Sequence, residues 1–143
     1  MGEKKDITVV LGTIGVDAHM VGGWILKHAL EQEGIKVVYL GACVSQEEFV
    51  KAAVESAADA IWVSSLYGMG RLECEGLRAK CDEAGLRNII LYAGGNLVAS
   101  KDLVDDWKKV EEEFARMGFN RIYPPGTRPE KPISDLKKDL GIK

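Results

Sequence analysis

The chain has 143 residues, of which 46% are apolar and 29% are charged, and its formal net charge is −3. This length and mixture predict one folded domain over residues 1–143 and exclude a wholly disordered chain. The negative net charge does not favour binding to nucleic acid. No apolar run approaches the roughly 20 residues of a transmembrane helix.

Apolar runs rich in β-branched residues alternate with helical patterns along the chain. The run "DITVVLGTIG" predicts a first strand that is buried on both faces. Four more strands are predicted in chain order, at "KVVYLGA", "AIWVSSL", "NIILYAGG" and "NRIYPPGT".

A helix is predicted after each strand. The first, 22–34, has a buried stripe and leaves His28 on the exposed side. That stripe consists of Ile25, Leu26, Ala29 and Leu30. The second helix begins at Ser45, which has Glu48 at capping-box spacing.

Three more helices are predicted, over 69–85, 102–118 and 133–141. Cys74 and Cys81 share one face of the third helix. Together with Cys43 they show no CxxC spacing, so we expect all three cysteines to be reduced, core-facing thiols of a cytoplasmic protein.

Five strand–helix pairs with short connections are typical of a parallel sheet with helices on both faces. At this length the pattern predicts an α/β, flavodoxin-like (Rossmann-like) doubly wound sheet with strand order 2-1-3-4-5. In that order, the loops after strands one, three, four and five meet at the carboxyl edge of the sheet, where ligands bind.

Unusual polar residues and glycines occupy those four loops. They are Asp17, His19, Gly22 and Gly23, then Ser64, Ser65 and Leu66, then Gly94, Gly95 and Asn96, then Tyr123 and Thr127. Each has a plain structural explanation, such as a helix N-cap for Asp17 or a turn for a glycine pair. Their predicted convergence is what favours a binding site.

His19 limits the chemistry of such a site. Ser64 or Ser65 with Asp17 and His19 has the composition of a hydrolytic triad, but the motif G-x-S-x-G is absent. Zinc needs more protein ligands, and neither a phosphate loop nor a dinucleotide fingerprint is present. A lone histidine suits axial ligation of a metal that a macrocycle already holds, with Asp17 accepting the other ring N–H.

Three short motifs resemble those of cobalamin-binding domains. Residues 17–22, Asp-Ala-His-Met-Val-Gly, are similar to D-x-H-x-x-G, residues 64–66 to S-x-L, and residues 94–95 to G-G. The resemblance covers nearly the whole chain, and it extends to the small cobalamin-binding subunits of glutamate mutase through "VSSLYG", "GGNLV" and "YPPGT".

The resemblance implies that adenosylcobalamin binds with its own base detached, with His19 as lower cobalt ligand and Asp17 as the hydrogen-bond partner of His19. The implied cofactor-binding set is Val16, Asp17, Ala18, His19, Met20, Gly22, Ser64, Ser65, Leu66, Gly94, Gly95, Asn96, Leu97, Val98, Tyr123 and Thr127. No further catalytic residue is expected on this chain. The implied reaction is the radical rearrangement of L-glutamate to threo-3-methylaspartate.

The resemblance also implies a partner, a larger catalytic subunit that holds glutamate and covers the corrin, in a complex of two small and two large chains. The small chain would be inactive alone, and neither nucleic acid nor a membrane is expected as a partner. Two alternatives remain open: the small subunit of another cobalamin-dependent mutase, and a corrinoid carrier or methyltransferase component. The latter chains usually carry a helical domain first, whereas here the first strand begins near residue 7. A flavodoxin-like signalling domain is a more distant alternative.

Overall fold

The computed structural model describes residues 6–14, 21–65, 73–95, 107–124 and 127–141. Within these ranges, five strands alternate with five helices of at least seven residues. In chain order they are β1 (Thr8–Ile14), α1 (Val21–Gln32), β2 (Lys36–Val44), α2 (Gln46–Ser56), β3 (Ala60–Ser64), α3 (Leu77–Glu83), β4 (Ile90–Gly94), α4 (Trp107–Arg116), β5 (Arg121–Tyr123) and α5 (Glu130–Asp139).

The strands form one parallel sheet in the order β2-β1-β3-β4-β5, which confirms the predicted doubly wound topology. Every residue of the interior strand β1 is buried, as its continuous apolar sequence predicts. The register places Trp62 of β3 beside Tyr92 of β4, and Gly94 beside Tyr123 of β5. Side chains from three strands therefore meet on one face of the sheet.

Two hydrophobic cores lie on opposite faces of the sheet. One contains Phe49 of α2, Leu77 of α3 and Phe114 of α4, which are all fully buried. The other contains Leu30 of α1 and Leu136 of α5. Helices therefore cover both faces, and α1 and α5 share the face on which the candidate site lies.

The second helix begins where the sequence predicts. The Ser45 side chain accepts a hydrogen bond from the Glu48 backbone N–H at 3.1 Å, and the Glu48 carboxylate accepts one from the Ser45 N–H. This reciprocal pair satisfies two backbone donors at the helix start. The capping-box prediction is confirmed.

The third helix is shorter than predicted. Its regular part spans Leu77–Glu83, and Gly76 before it has a φ of +88°, which a continuous α-helix does not accommodate. The Gln46 side-chain amide donates to the carbonyls of Glu73 and Glu75 at this interruption. A turn anchored by α2 therefore replaces the predicted middle of the helix.

The cysteine prediction holds for two of the three residues. Cys74 and Cys81 are fully buried, and burial raises the pKa of the Cys74 thiol to about 12, so this thiol is a packing residue at neutral pH. The core-facing prediction is wrong for Cys43, which is exposed near the end of edge strand β2. Its φ of +58° accompanies the register irregularity at this end of the strand, and Val44 is the residue that enters the core.

None of the helices in the described ranges combines the length and the apolarity that crossing a membrane requires.

Candidate functional site

A cavity of about 440 Å³ lies at the carboxyl ends of the strands, between α1 and α5. Its walls include Leu11 of β1, Leu26 of α1 and Pro132 of α5. Most lining side chains are apolar, and the volume falls in the range of about 300–1,000 Å³ that is typical of small-molecule and cofactor sites. This is the edge of a doubly wound sheet where ligands are expected.

A row of aromatic rings lines the cavity along the sheet. The ring of Trp62 stacks on that of Tyr92, with a centroid separation of 5.6 Å and an interplanar angle of 22°. Tyr92 in turn meets Tyr123 edge to face, also at 5.6 Å. These residues come from β3, β4 and β5, so cross-strand pairing builds a continuous aromatic floor.

The two tyrosine hydroxyls of this floor are tied to α5. Tyr92 donates to Asp139 and Tyr123 donates to Asp135, the latter at 2.7 Å. The Arg121 guanidinium forms a bidentate pair of hydrogen bonds to the Asp139 carboxylate, and both N···O distances are 2.9 Å. Burial and these carboxylates raise the pKa of both tyrosines, so both hydroxyls remain protonated donors at neutral pH.

The third ring of the floor has an unsatisfied polar atom. Trp62 is 3% exposed, and its indole Nε1 is buried with no hydrogen-bond partner among the described residues. Such a donor costs about 1–3 kcal/mol of stability unless something accepts its hydrogen bond. The cavity is therefore apolar in composition, yet one of the residues that line it has an unsatisfied donor.

Five residues of the sequence-predicted set line the cavity. They are Ser64, Gly94, Gly95, Tyr123 and Thr127. They come from the ends of β3, β4 and β5 and from the segment before α5, so the predicted convergence of these loops is present. The Thr127 hydroxyl donates to the Pro124 carbonyl at 2.7 Å, which holds the chain that follows β5 against the cavity.

Ser65 does not line the cavity. Its side chain is fully buried, and its hydroxyl donates to the Glu73 carboxylate at 3.3 Å. Its backbone N–H donates to the carbonyl of Gly94, which extends the β3–β4 pairing by one residue. Because side chains alternate along a strand, Ser64 and Ser65 point to opposite faces of the sheet.

The rest of the predicted set lies mostly outside the described residues. This applies to residues 16–20, which include Asp17 and His19, to Leu66, and to residues 96–98. Gly22 lies in the first turn of α1. The segment that carries His19 connects β1 to α1, and each of these elements contributes residues to the cavity wall.

Several lining residues were missed by sequence reasoning. Trp62 precedes Ser64 by two positions on the predicted strand. Because side chains two positions apart on a strand share a face, the sequence could have predicted that Trp62 lies beside Ser64. Ile25 was predicted to be buried but is 54% exposed, because this part of α1 borders the cavity. Pro129 and Pro132, which frame the start of α5, gave no recognisable signal.

Within the described residues, no group of three or more His, Cys, Asp or Glu side chains is arranged to hold a metal ion. His28, the histidine that the structure describes, is exposed and contacts Gln32 at 3.3 Å. The expectation that His28 faces solvent is confirmed.

Comparisons with known proteins agree with this architecture. Residues 7–107 match the model of the B12 binding domain. The chain is 56% identical to the glutamate mutase sigma subunit of Clostridium cochlearium over 140 residues, which is 98% of each chain. It is 55% identical to the glutamate mutase sigma subunit of Clostridium tetani, over 99% of each chain.

A solved structure shares the fold at low sequence identity. A cobalamin-binding protein from Desulfitobacterium hafniense superimposes with a TM-score of 0.72 and 19% identity over 93% of this chain. The present chain spans 58% of the length of that protein, so this likeness concerns the fold. The family match and the two relatives that are 55% and 56% identical over nearly the whole chain show more than the fold. The chain belongs to the B12 binding domain family and, within it, to the glutamate mutase sigma subunits.

Proposed function

We propose that this chain is the cobalamin-binding subunit of an adenosylcobalamin-dependent glutamate mutase, an isomerase that converts L-glutamate into threo-3-methylaspartate. The observation that carries the proposal is the apolar cavity at the carboxyl ends of the strands, with its aromatic floor of Trp62, Tyr92 and Tyr123. Family membership supplies the cofactor class and the reaction.

The residues of the cavity fit the nucleotide tail of cobalamin. The tail ends in a flat benzimidazole, which suits an apolar cavity with aromatic side chains. It also carries a phosphate, and Arg128 is an exposed cation that lines the cavity. The buried N–H of Trp62 needs an acceptor, which a purely hydrocarbon ligand would not supply.

In this proposal His19 would ligate the cobalt of cobalamin, and Asp17 would accept the other ring N–H of His19. A carboxylate partner of this kind fixes the tautomer and increases the basicity of the ligand. Ser64, Gly94, Gly95, Tyr123 and Thr127 contact the tail, as their positions along the cavity support. Ser65 contributes through the backbone hydrogen bond that holds the end of β3 against β4.

When bound, adenosylcobalamin would supply radical chemistry to the reaction. The chain itself binds and orients the cofactor and keeps water away from the tail. We assign the binding of glutamate to a larger partner subunit, because a dicarboxylate requires paired cationic side chains whereas this cavity is mainly apolar. The sigma-subunit names of the relatives support such a partner. The buried thiols of Cys74 and Cys81 support a reducing, cytoplasmic setting.

The binding mode is tested by electron paramagnetic resonance of the cob(II)alamin complex. Chain labelled with nitrogen-15 histidine is compared with unlabelled chain. If histidine ligates cobalt, the nitrogen superhyperfine triplet becomes a doublet on labelling, because the nuclear spin of the ligating atom changes from 1 to ½.

Two variants identify which histidine is involved. His28→Gln keeps the labelled doublet, because His28 is exposed on α1, whereas His19→Gly loses it. A triplet that persists in the labelled wild-type complex means that the cofactor keeps its own base, and it contradicts the proposed role of His19.

A further inference from the structure

The proposed function leaves one atom of the cavity unused. Of the three aromatic side chains in the floor, Tyr92 and Tyr123 have their polar atoms bound to carboxylates of α5, whereas the indole Nε1 of Trp62 has no partner among the described residues. The ring is held in place by its stack on Tyr92. The donor therefore belongs to a residue of the cavity wall and is not satisfied by the described residues around it.

Bulk solvent does not reach this donor in the structure. Trp62 is 3% exposed and its Nε1 is fully shielded, although the side chain lines the cavity. Buried polar groups in proteins nearly always have a partner, and an exception calls for an explanation. Because Trp62 borders the cavity, a ligand in that cavity is the candidate partner, and its binding has to bring the acceptor and the shielded Nε1 together.

We propose that Trp62 is a specificity-determining residue, whose indole N–H donates a hydrogen bond to an oxygen or nitrogen acceptor on the nucleotide tail of cobalamin. This inference rests on the proposed function, since it requires the tail to occupy the cavity. It predicts that Trp62 discriminates between corrinoids with a nucleotide tail and those without one. Binding of the corrin ring alone does not require Trp62.

The direct test is nuclear magnetic resonance of the tryptophan indole groups, with nitrogen-15 tryptophan in the full chain. The chain has three tryptophans, and the Trp24→Phe and Trp107→Phe variants assign the Trp62 signal by elimination. Methylcobalamin, which is diamagnetic, is expected to move the Trp62 indole proton downfield. Cobinamide, which lacks the tail, is expected to leave that signal near its free position.

Affinity measurements provide a second, independent test. Trp62→Phe keeps an aromatic ring but removes the donor, and it is expected to weaken methylcobalamin binding about 2- to 10-fold while cobinamide binding changes less. Trp24→Phe is the matched control, because Trp24 is 59% exposed, rests against Tyr39 and does not line the cavity. It is expected to bind both corrinoids as the wild type does.

The outcomes separate the two proposals. If the wild-type chain binds neither corrinoid, the proposed function fails and the role of Trp62 fails with it. If methylcobalamin binds but the Trp62 indole signal stays in place, or if Trp62→Phe weakens both corrinoids equally, the role of Trp62 is overturned and cobalamin binding stands. The wild-type spectra decide the question even if Trp62→Phe does not fold.

Discussion

Gly118, just after α4, shows how a single residue without a side chain is required by its surroundings. Its φ is +95°, and a Cβ added there would lie 2.6 Å from both Cβ and Cγ of Arg78. Arg78 has little room to move, because its Nε donates to the Gly118 carbonyl at 3.0 Å and its guanidinium donates to Asn120 at 3.1 Å. The close approach of the chain after α4 to α3 therefore depends on glycine.

We expect Gly118→Ala to lower the free energy of unfolding by about 2–4 kcal/mol, which combines a left-handed backbone conformation with steric overlap. Gly34→Ala is the matched control, because Gly34 has a φ of +78° but no atom within 4 Å of the added Cβ. It is expected to cost only about 1 kcal/mol. Urea unfolding measures the free energy of unfolding of both variants. Equal decreases would show that Arg78 moves aside without an energetic cost, and they would contradict the predicted steric overlap.

At the scale of elements, α5 is fastened to the sheet by polar contacts as well as by its apolar face. Asp135 is 2% exposed. Its carboxylate accepts a hydrogen bond from the Tyr123 hydroxyl and lies 3.3 Å from the Lys131 ammonium. Asp139 accepts from Tyr92 and from Arg121. Since both tyrosines line the cavity, this network holds α5 and the aromatic floor in one arrangement.

The network predicts a specific pH dependence of stability. The hydrogen bond from Arg121 holds the pKa of Asp139 below its usual value. A carboxylate whose pKa is lower in the folded state than in the unfolded state contributes stability above the unfolded value, about 3.9, and loses it as pH falls through the folded value. We expect wild-type stability to fall from about pH 5 towards pH 3, and that of Asp139→Asn to fall less steeply.

Denaturant unfolding at several pH values between 6 and 3 measures this slope. Glu31→Gln is a suitable control, because Glu31 pairs with Lys27 at 3.1 Å on the exposed side of α1, where ion pairs contribute little. It is expected to keep the wild-type slope. A slope for Asp139→Asn equal to that of the wild type would argue against a contribution from Asp139 to acid sensitivity.

At the scale of the whole molecule, the proposed function requires a second protein. Radical chemistry needs exclusion of water, and the cavity opens at the carboxyl edge of the sheet, where a partner has to cover the corrin. We expect the chain with adenosylcobalamin and L-glutamate to be inactive, and turnover to appear when the large catalytic subunit of glutamate mutase is added. Gel filtration is expected to show a complex that tightens with adenosylcobalamin.

The histidine variants serve again as controls in this assay. His28→Gln is expected to support turnover, since His28 is exposed and is not one of the residues that line the cavity, and His19→Gly is expected to lose it. Turnover by the chain alone, or the lack of any complex with the large subunit, would overturn the assignment. Turnover of a different substrate would instead favour another cobalamin-dependent mutase.

The sequence by itself determined the order of elements and the class of the protein. Continuous apolar runs such as that of β1 indicate strands buried on both faces, and the regular alternation with helices leaves the strand order 2-1-3-4-5 as the usual solution. The capping box at Ser45 is a local pattern, which is why its prediction was confirmed. The motif around residues 17–22 indicated the family, because it is a contiguous stretch of sequence.

The tertiary structure alone decided how the candidate site is built. The aromatic floor depends on the register that sets Trp62 beside Tyr92, and the cavity depends on how far apart α1 and α5 pack. Ile25 belongs to an apolar stripe yet remains half exposed, and Ser65 turns away from the cavity that Ser64 lines. The physical reason is that local periodicity shows which face of an element is apolar, whereas gaps and unsatisfied donors arise only from the distances between elements that are remote in sequence.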